Sequence, residues 1–360
     1  MLPDDYSAPF WLPGGHLQTL YPYFFAPRPF VSYQRERLEL ADGDFLDLDW
    51  TPATQGTLPQ NMPRQNMAQP APLVVLFHGL EGNAQAFYVR NLMWAVSQAG
   101  WRGVVVHFRG CSGTPNRLPR AYFAGDSAEI HHVLQHLRSQ HHAQLLDGQI
   151  FDGQIFDGRL FAVGYSLGGN ALLRFAGEQA YKASSLLDAC VAVSVPFQLA
   201  VAGRTLDTGV EQLIYTRHFL RTLKRKARDK CRQFPGLFNE QRLRKANSLW
   251  AFDEYYTAPA HGFASADDYW ARAASLPVLR DIRIPTLLVN ARNDPFYPAY
   301  ALPTAQQVSP TTVCEFYPQG GHVGFPAGCF PGHAGWLPQR ILRFFGLQSN
   351  GNANGNAKCE

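Results

Sequence analysis

The stretch "LFAVGYSLGGNALLRF", residues 160–175, joins an apolar run to a helical pattern through Gly164, Ser166 and Gly168. A G-x-S-x-G that directly follows a strand and directly opens a helix is typical of a nucleophile elbow. Small residues are needed at positions 164 and 168 because the sharp turn brings the backbone against the neighbouring strand and helix. The helix N-terminus also favours negative charge beside the serine. The stretch therefore predicts Ser166 as a nucleophile, rather than as a serine in an ordinary bend.

Short apolar runs alternate with helical patterns along most of the chain after residue 72. The predicted strands are "LVVLFH" (73–78), "GVVVHF" (103–108), "LFAVGY" (160–165), "ACVAVSV" (189–195), "TLLVNA" (286–291) and "TVCEFY" (312–317). Helical patterns lie near residues 86–99, 126–141, 166–181, 299–308 and 334–346. Strands that are apolar on both faces must be covered by helices on both sides. The alternation predicts an α/β fold with a mostly parallel central sheet flanked by helices.

The pattern divides the chain into segments. Residues 35–50 alternate apolar and polar positions around Asp42-Gly43 and predict a β-hairpin. Residues 196–279 contain no clear strand, which predicts a helical cap over the carboxyl edge of the sheet, where α/β sheets bind ligands. We therefore expect an N-terminal arm at 1–34, a core at 35–195 and 280–346, the cap at 196–279, and a disordered tail at 347–360.

A serine hydroxyl needs a base, and the base needs an orienting carboxylate. In this architecture the order along the chain is serine, acid, histidine, with the acid and the base each following a later strand. "RNDPF" follows the strand at 286–291 and supplies Asp294, whereas "QGGHVGF" follows the strand at 312–317 and supplies His322. Asp281 precedes its strand and lies at the wrong edge. We predict a Ser166–Asp294–His322 triad.

Two backbone N–H groups are needed to stabilise the oxyanion formed at an attacked carbonyl. The residue after the nucleophile, Leu167, supplies one of them, and we assign the other to Leu80 in the loop after the first parallel strand. Four further residues are candidates for lining the pocket, namely His78, Arg109, Cys111 and Tyr165. His78 is alternatively a structural support of its loop, and Cys111 a buried packing cysteine.

The bulk composition excludes several classes of protein. The chain of 360 residues carries a formal net charge of +4, too mild to imply nucleic acid. No apolar run approaches the roughly 18 residues of a membrane span, and the N-terminus has acidic residues where a secretory signal is basic. Its six cysteines form no CxxC pair, and dinucleotide, P-loop and HExxH motifs are absent. We expect a cytoplasmic protein without a metal or cofactor.

A basic stretch interrupts the cap. Residues 216–232, "TRHFLRTLKRKARDKCR", hold eight Lys or Arg against one Asp. Such a stretch is either the solvated face of a helix or a surface attracted to an anionic membrane, which keeps peripheral membrane association open. The sequence does not give the oligomeric state.

Several motifs occur together in one order between Phe10 and Phe345. They are "FWLPGGHLQTLYP" (10–22), "HGLEGN" (78–83), "HFRGCSGTPNR" (107–117), "GYSLGGN" (164–170), "TAPAHGFASADDYW" (257–270), "NARNDPF" (290–296) and "GGHVGF" (320–325). In these motifs the chain resembles the YheT-like branch of the α/β-hydrolases, which is related to the ABHD-type esterases and lipases. The resemblance implies an α/β-hydrolase fold, the triad chosen above, and hydrolysis of carboxylic esters. Asn293 stands where a second acidic residue is expected beside Asp294.

Together these observations predict a serine carboxylesterase that cleaves short- to medium-chain acyl esters, including lipid-derived ones, through an acyl-enzyme. An alcohol O-acyltransferase with the same triad and a non-catalytic binding protein on a hydrolase fold stay open as alternatives. Within "WLPGGHLQTLYP", His16 either contacts substrate or belongs to an arm that packs on the domain through Trp11, Leu17 and Tyr21.

Overall fold

The computed structural model describes residues 6–51, 71–147 and 156–349. Their eight strands form a single sheet with the order β1-β2-β4-β3-β5-β6-β7-β8. The strands are β1 (Gln34–Glu39), β2 (Phe45–Trp50), β3 (Ala71–Phe77), β4 (Arg102–His107), β5 (Phe156–Tyr165), β6 (Ala189–Val193), β7 (Thr286–Ala291) and β8 (Thr312–Tyr317). The β1–β2 hairpin pairs antiparallel with β4, and all other neighbours are parallel. The predicted mostly parallel sheet is confirmed.

Helices cover both faces of this sheet. The covering helices are α2 (Phe87–Gln98), α3 (Ser127–Asp147), α4 (Leu167–Gln179) and α12 (Trp336–Ser349), whereas α1 (Gly15–Phe25) lies against the loops that follow β7 and β8. Along β3, alternate residues divide between two cores: Val75 packs with α3 and α4, and Val74 packs with α2 and α12. Because successive strand residues point to opposite faces, β3 must be apolar throughout, which is why its sequence reads as one continuous run.

Between β6 and β7 the chain forms helices and no strand. They are α5 (Leu199–Leu206), α6 (Gly209–Glu211), α7 (Arg217–Gln233), α8 (Glu240–Lys245), α9 (Leu249–Phe252), α10 (Ala258–Ala260) and α11 (Ala266–Ala273). Two π-helical segments, Gln212–Thr216 and Asp253–Thr257, interrupt them. We call residues 196–279 the cap. None of the described helices combines the length and the apolarity that a bilayer crossing requires.

Two sequence-based predictions are wrong in their details. The helix predicted near 299–308 is replaced by two short 3₁₀ turns, Ala299–Ala301 and Ala305–Gln307. Pro303 explains the break, since a residue before proline avoids helical angles and Leu302 has ψ of 142°. The tail predicted to be disordered from residue 347 is helical through Ser349, and its remainder, 350–360, lies outside the described residues. Part of the duplicated "DGQIFDGQIFDG" segment, residues 148–155, also lies outside them.

Candidate active site

Ser166 stands on the turn between β5 and α4. Its φ of 52° and ψ of −116° place a residue with a side chain in the left-handed region, which is strained. Two hydrogen bonds hold the strained turn: the Ser166 N–H donates to the Val193 carbonyl at 2.8 Å, and the Asn170 N–H donates to the Ser166 carbonyl at 3.0 Å. The serine hydroxyl is thereby presented at the N-terminus of α4, at the carboxyl edge of the sheet.

The glycines around Ser166 allow the close approach that the turn requires. A Cβ on Gly164 would lie 2.5 Å from the Gly169 Cα, and a Cβ on Gly168 would lie 2.4 Å from the Phe77 carbonyl oxygen. Real side chains do not tolerate such distances to backbone atoms, so neither position accepts even alanine without a backbone shift. This geometry is the physical reason for the G-x-S-x-G pattern.

The three predicted triad residues meet at this edge. The Ser166 hydroxyl lies 3.0 Å from His322 Nε2, and His322 Nδ1 lies 2.8 Å from Asp294 Oδ2. The His322 and Asp294 side chains are 7% and 0% exposed, so their interaction is shielded from water. Asp294 Oδ1 accepts a hydrogen bond from the Phe296 N–H at 2.8 Å, and the Phe296 ring stacks on the His322 ring at 3.9 Å. Phe296 thus holds both residues in place, Asp294 through its backbone N–H and His322 through its ring.

The loop after β3 lies directly against the serine. A Cβ on Gly79 would lie 3.3 Å from the Ser166 Cβ. Of the four consecutive amides in this loop, the Gly79 N–H donates to Tyr88, the Glu81 N–H to Tyr122, and the Gly82 N–H to the Gly79 carbonyl. The remaining amide, that of Leu80, has no acceptor among the described residues.

Leu167 is the first residue of α4, so its N–H has no acceptor one turn earlier in the helix. Leu80 and Leu167 both border the same cavity as Ser166 and His322. Two amides without an acceptor among the described residues therefore belong to residues that line the cavity beside Ser166.

A buried glutamine of α1 joins the loops that carry the acid and the base. The Gln18 side-chain oxygen accepts hydrogen bonds from Asn293 Nδ2 and from the Gly320 N–H, both at 2.9 Å. Its amide nitrogen donates to the Leu12 carbonyl and to Gln319 Oε1. Gln18 is fully buried, and every polar atom of its side chain is satisfied.

Asn293 and Thr19 add further hydrogen bonds between the loops that carry Asp294 and His322. Asn293 Oδ1 accepts from the Gly321 N–H at 3.1 Å, and Thr19 Oγ1 accepts from the His322 N–H at 2.8 Å. A carboxylate at position 293 cannot donate to Gln18, which explains in physical terms why asparagine suits this position. A Cβ on Gly15 would lie 1.8 Å from the Asn293 carbonyl oxygen, so α1 packs on the loop at a distance that only glycine permits.

These contacts show where the "WLPGGHLQTLYP" segment lies. His16 Nδ1 lies 3.0 Å from the Tyr215 hydroxyl, and His16 Nε2 lies 3.3 Å from Glu211, so His16 contacts the cap. The segment is an arm packed on the protein, and its Gln18 and Thr19 contact the loops that carry Asp294 and His322. Sequence reasoning missed both, because nothing in the sequence pairs residue 18 with residues 293 and 320.

Two of the candidate pocket residues lie in the core and not on the cavity wall. His78 donates from Nδ1 to the Gly79 carbonyl at 2.8 Å and accepts at Nε2 from the Phe108 N–H at 3.2 Å. Burial lowers the pKa of His78 to about 3, so the ring is neutral and supports its loop. Tyr165 is fully buried against Tyr88. It lies at the end of β5, where successive side chains alternate between the two faces of the sheet, and its side chain points into the core that contains α2.

The other two candidates, Arg109 and Cys111, do border the cavity. The Arg109 guanidinium is committed to carboxylates, with Glu129 at 2.6 Å and Asp42 and Asp44 each at 2.9 Å. Burial raises the pKa of the Cys111 thiol to about 11, which keeps it protonated at neutral pH. Neither residue has the properties of a nucleophile or a base.

The cavity has a volume of about 1150 Å³ and lies between the cap and the sheet edge. It is large for a small-molecule site, for which roughly 300–1000 Å³ is usual. The cap contributes mainly apolar side chains to its wall, among them Leu199, Leu206, Phe219, Leu223, Tyr256 and Trp270. Among the described residues, no group of three or more His, Cys, Asp or Glu is placed to hold a metal ion.

A family model described as alpha/beta hydrolase fold matches residues 72–328 of this chain. The chain belongs to the α/β-hydrolases. "Putative esterase YheT" of Escherichia coli (strain K12) is 36% identical over 329 residues, which cover 91% of this α/β-hydrolase and 88% of that protein. The predicted resemblance is thereby confirmed.

More distant relatives carry related names. "Phospholipase ABHD3" of Homo sapiens is 26% identical over 95% of this α/β-hydrolase and 78% of its own length. "Medium-chain fatty acid ethyl ester synthase/esterase 2" of Saccharomyces cerevisiae is 26% identical over 76% and 62%, respectively. Among solved structures, a puromycin-hydrolyzing peptidase of Mycobacterium tuberculosis superposes with a TM-score of 0.52 at 16% identity, over 89% of this chain and 40% of that one. This last likeness concerns the fold alone.

Proposed function

We propose that this α/β-hydrolase is a carboxylic ester hydrolase that acts through an acyl-enzyme on Ser166. One observation carries the proposal: the Ser166 hydroxyl donates to His322 at 3.0 Å, and His322 donates to buried Asp294 at 2.8 Å, beside a large apolar cavity. A nucleophile, a base and an orienting acid in hydrogen-bond contact are the requirements for nucleophilic acyl transfer.

The geometry supports the following reaction. His322 takes the Ser166 proton as the serine oxygen attacks the ester carbonyl, and Asp294 stabilises the imidazolium that forms. The Leu167 and Leu80 N–H groups donate hydrogen bonds to the negatively charged carbonyl oxygen, each contributing about 10²–10³-fold to the rate. His322 then protonates the leaving alcohol, and a water that it activates releases the acid from Ser166. The reaction needs no cofactor.

The cavity supports an acyl ester as substrate. Its cap-derived wall is mainly apolar and its volume of about 1150 Å³ accommodates an acyl chain of short to medium length. The names of the relatives point to esters in general and to lipid esters in particular. We therefore propose acyl esters of this length, lipid-derived ones included, as the substrate class.

An alcohol O-acyltransferase is the second candidate, because one relative is named both as an ethyl ester synthase and as an esterase. Both reactions share the acyl-enzyme and differ in whether water or an alcohol enters second. Hydrolysis in the presence of a low concentration of ethanol separates them. The proposal expects free acid as the main product, whereas predominant ethyl ester would replace it with the transferase.

A chain-length series of p-nitrophenyl esters tests the proposal on the wild type, on Ser166→Ala and on a control, Ser184→Ala. Ser184 is an exposed serine beyond the far end of α4. We expect Ser166→Ala to lose at least about 10³-fold in kcat and the control to keep wild-type rates. A fluorophosphonate probe should label the wild type and the control but not Ser166→Ala. Absence of labelling in folded wild-type protein would leave a non-catalytic binding protein instead.

A further inference from the structure

Exposed apolar side chains lie on α1 and on the part of the cap beside it, and one from each element borders the cavity. On α1, Phe24 and Phe25 are 62% and 69% exposed. On the cap, Leu213 and Ile214 are 52% and 37% exposed. Contiguous apolar patches on a protein surface mark interaction sites, whereas single exposed apolar residues do not.

Direct contacts bring these two elements side by side. His16 of α1 bonds to Tyr215 and lies 3.3 Å from Glu211, and the ring of Tyr23 meets that of His218 at 6.0 Å. Phe24 and Ile214 also form part of the cavity wall. The exposed apolar side chains therefore form one surface around the entrance. We call it the entrance surface, and its members are Leu17, Tyr23, Phe24, Phe25, Leu213 and Ile214.

Cations adjoin the entrance surface. Arg217, Arg221 and Arg228 are exposed on α7, and exposed Arg225 and Arg28 stand where the cavity opens. The fold therefore places the basic residues of 216–232 on two sides of α7, one facing outward and one facing inward. Its inward members have local partners, since Lys226 lies 2.8 Å from Glu81 and Lys230 donates to the Asn116 carbonyl.

Few carboxylates offset the outward arginines. Glu211 lies beside His16, and Asp229 pairs with Arg232. The surroundings of the cavity mouth are thus apolar at the centre and cationic at the flank. Aromatic side chains favour the boundary between headgroups and acyl chains, and arginine favours anionic headgroups.

We propose that the entrance surface docks on an anionic phospholipid surface, with the α1 aromatic side chains at the headgroup boundary and the α7 arginines on the headgroups. The docked orientation faces the cavity mouth toward the lipid, so an acyl ester passes from the lipid surface to Ser166 without crossing water. Binding does not depend on hydrolysis, and the two are tested separately.

Co-sedimentation with vesicles tests the docking, in a Ser166→Ala background that cannot consume lipid. One set of vesicles is phosphatidylcholine alone, and in the other about a third of the lipid is phosphatidylglycerol. We expect the unaltered surface to partition at least about tenfold better onto the anionic vesicles, and about 0.5 M salt to remove most of that preference.

Two double variants separate the apolar and the cationic contributions. Phe25→Ser/Leu213→Ser should weaken binding to both kinds of vesicle, because it removes apolar contact. Arg217→Gln/Arg221→Gln should weaken binding to the anionic vesicles alone, by about fivefold per cation removed. None of these four residues borders the cavity, so hydrolysis of a soluble short-chain ester by the corresponding Ser166 proteins should stay unchanged.

Tyr181→Ser/Lys182→Gln is the matched control. Both residues are exposed and follow α4, whose 13 residues separate them by about 20 Å from Ser166 at its other end. This control should bind like the unaltered surface. The proposal is overturned if the unaltered surface binds neither kind of vesicle, or if all variants bind equally. It is also overturned if sedimentation without lipid shows a dimer of the chain in which the entrance surface is the buried interface.

Discussion

At the scale of single residues, His78 shows how a buried histidine serves the site without reacting. Its two ring nitrogens are both used, one as donor to the Gly79 carbonyl and one as acceptor from the Phe108 N–H. These partners fix a neutral tautomer and hold the loop that carries Leu80 against the serine. A second proton on the ring would sit on Nε2, where it would face the Phe108 N–H and find no acceptor. This agrees with the pKa of about 3 that burial gives His78.

This burial predicts a specific acid sensitivity. Below a pH of about 6.5 the unfolded chain protonates His78, whereas the folded protein does not do so until pH reaches about 3. The free energy of unfolding should therefore fall by about 1.4 kcal/mol per pH unit in this window. Urea unfolding at several pH values between about 7 and 4 measures how the free energy of unfolding changes per pH unit. His78→Gln should reduce this change by about 1.4 kcal/mol per pH unit.

The control for this prediction is His218→Gln, at an exposed histidine of α7. It should keep the wild-type dependence on pH. Parallel curves for the wild type and His78→Gln would show that His78 is protonated in the folded state, contrary to the burial argument.

At the scale of elements, α1 acts as a bracket between two loops. Gln18 and Thr19, neighbours on one helix, bond to the loop of Asp294 and to the loop of His322. The acid and the base follow different strands, β7 and β8, and their relative position depends on what joins those loops. We infer that Gln18 is a positioning residue for His322 and Asp294.

Gln18→Ala tests this inference. It leaves the Gly320 N–H and the Asn293 amide buried without their acceptor, which should cost about 1–3 kcal/mol of unfolding free energy. We also expect kcat to fall about tenfold with KM nearly unchanged, because the substrate cavity stays intact while the base is displaced. Rates should be measured where unfolding curves show the variant to be fully folded.

Leu17→Ala, at an exposed position of the same helix, is the control and should keep both stability and kcat on a soluble short-chain ester. If Gln18→Ala lowers only the amount of folded protein, leaving kcat per folded molecule unchanged, Gln18 is structural and does not position the triad.

The sequence predicts those elements whose signal is local. Periodicity places the parallel strands, and turn chemistry places Ser166 between β5 and α4. The same reasoning fails at 299–308, where prolines outweigh the helical pattern of the other residues. It cannot find the contact between Gln18 and Asn293, because 275 residues separate them and neither side chain carries a pattern that identifies its partner.

At the scale of the whole molecule, one polar cluster joins the cap to the core beside the site. Lys226 of α7 lies 2.8 Å from Glu81 Oε1, and the Tyr122 hydroxyl donates to the same oxygen at 2.9 Å. Glu81 follows Leu80 directly, so the cluster connects the cap to the loop that we assign to the oxyanion. Its Glu81 side chain is 8% exposed, which makes the loss of its cationic partner costly.

A double-mutant cycle on Lys226→Met and Glu81→Gln tests this connection. Lys226→Met should lose about 1–3 kcal/mol of unfolding free energy, because it leaves the shielded Glu81 carboxylate without its cation. Glu81→Gln should lose less, because the Lys226 side chain is 33% exposed and water solvates its charge. The double variant removes both charges together, so it should recover part of that loss and give a coupling energy of about 1–2 kcal/mol.

Urea unfolding measures these energies, and kcat on a soluble ester should follow the same order, since the cap and the Leu80 loop shift together. Additive losses with no coupling would mean that cap and core are held by apolar packing alone, and that the polar cluster does not transmit the position of the cap to the site.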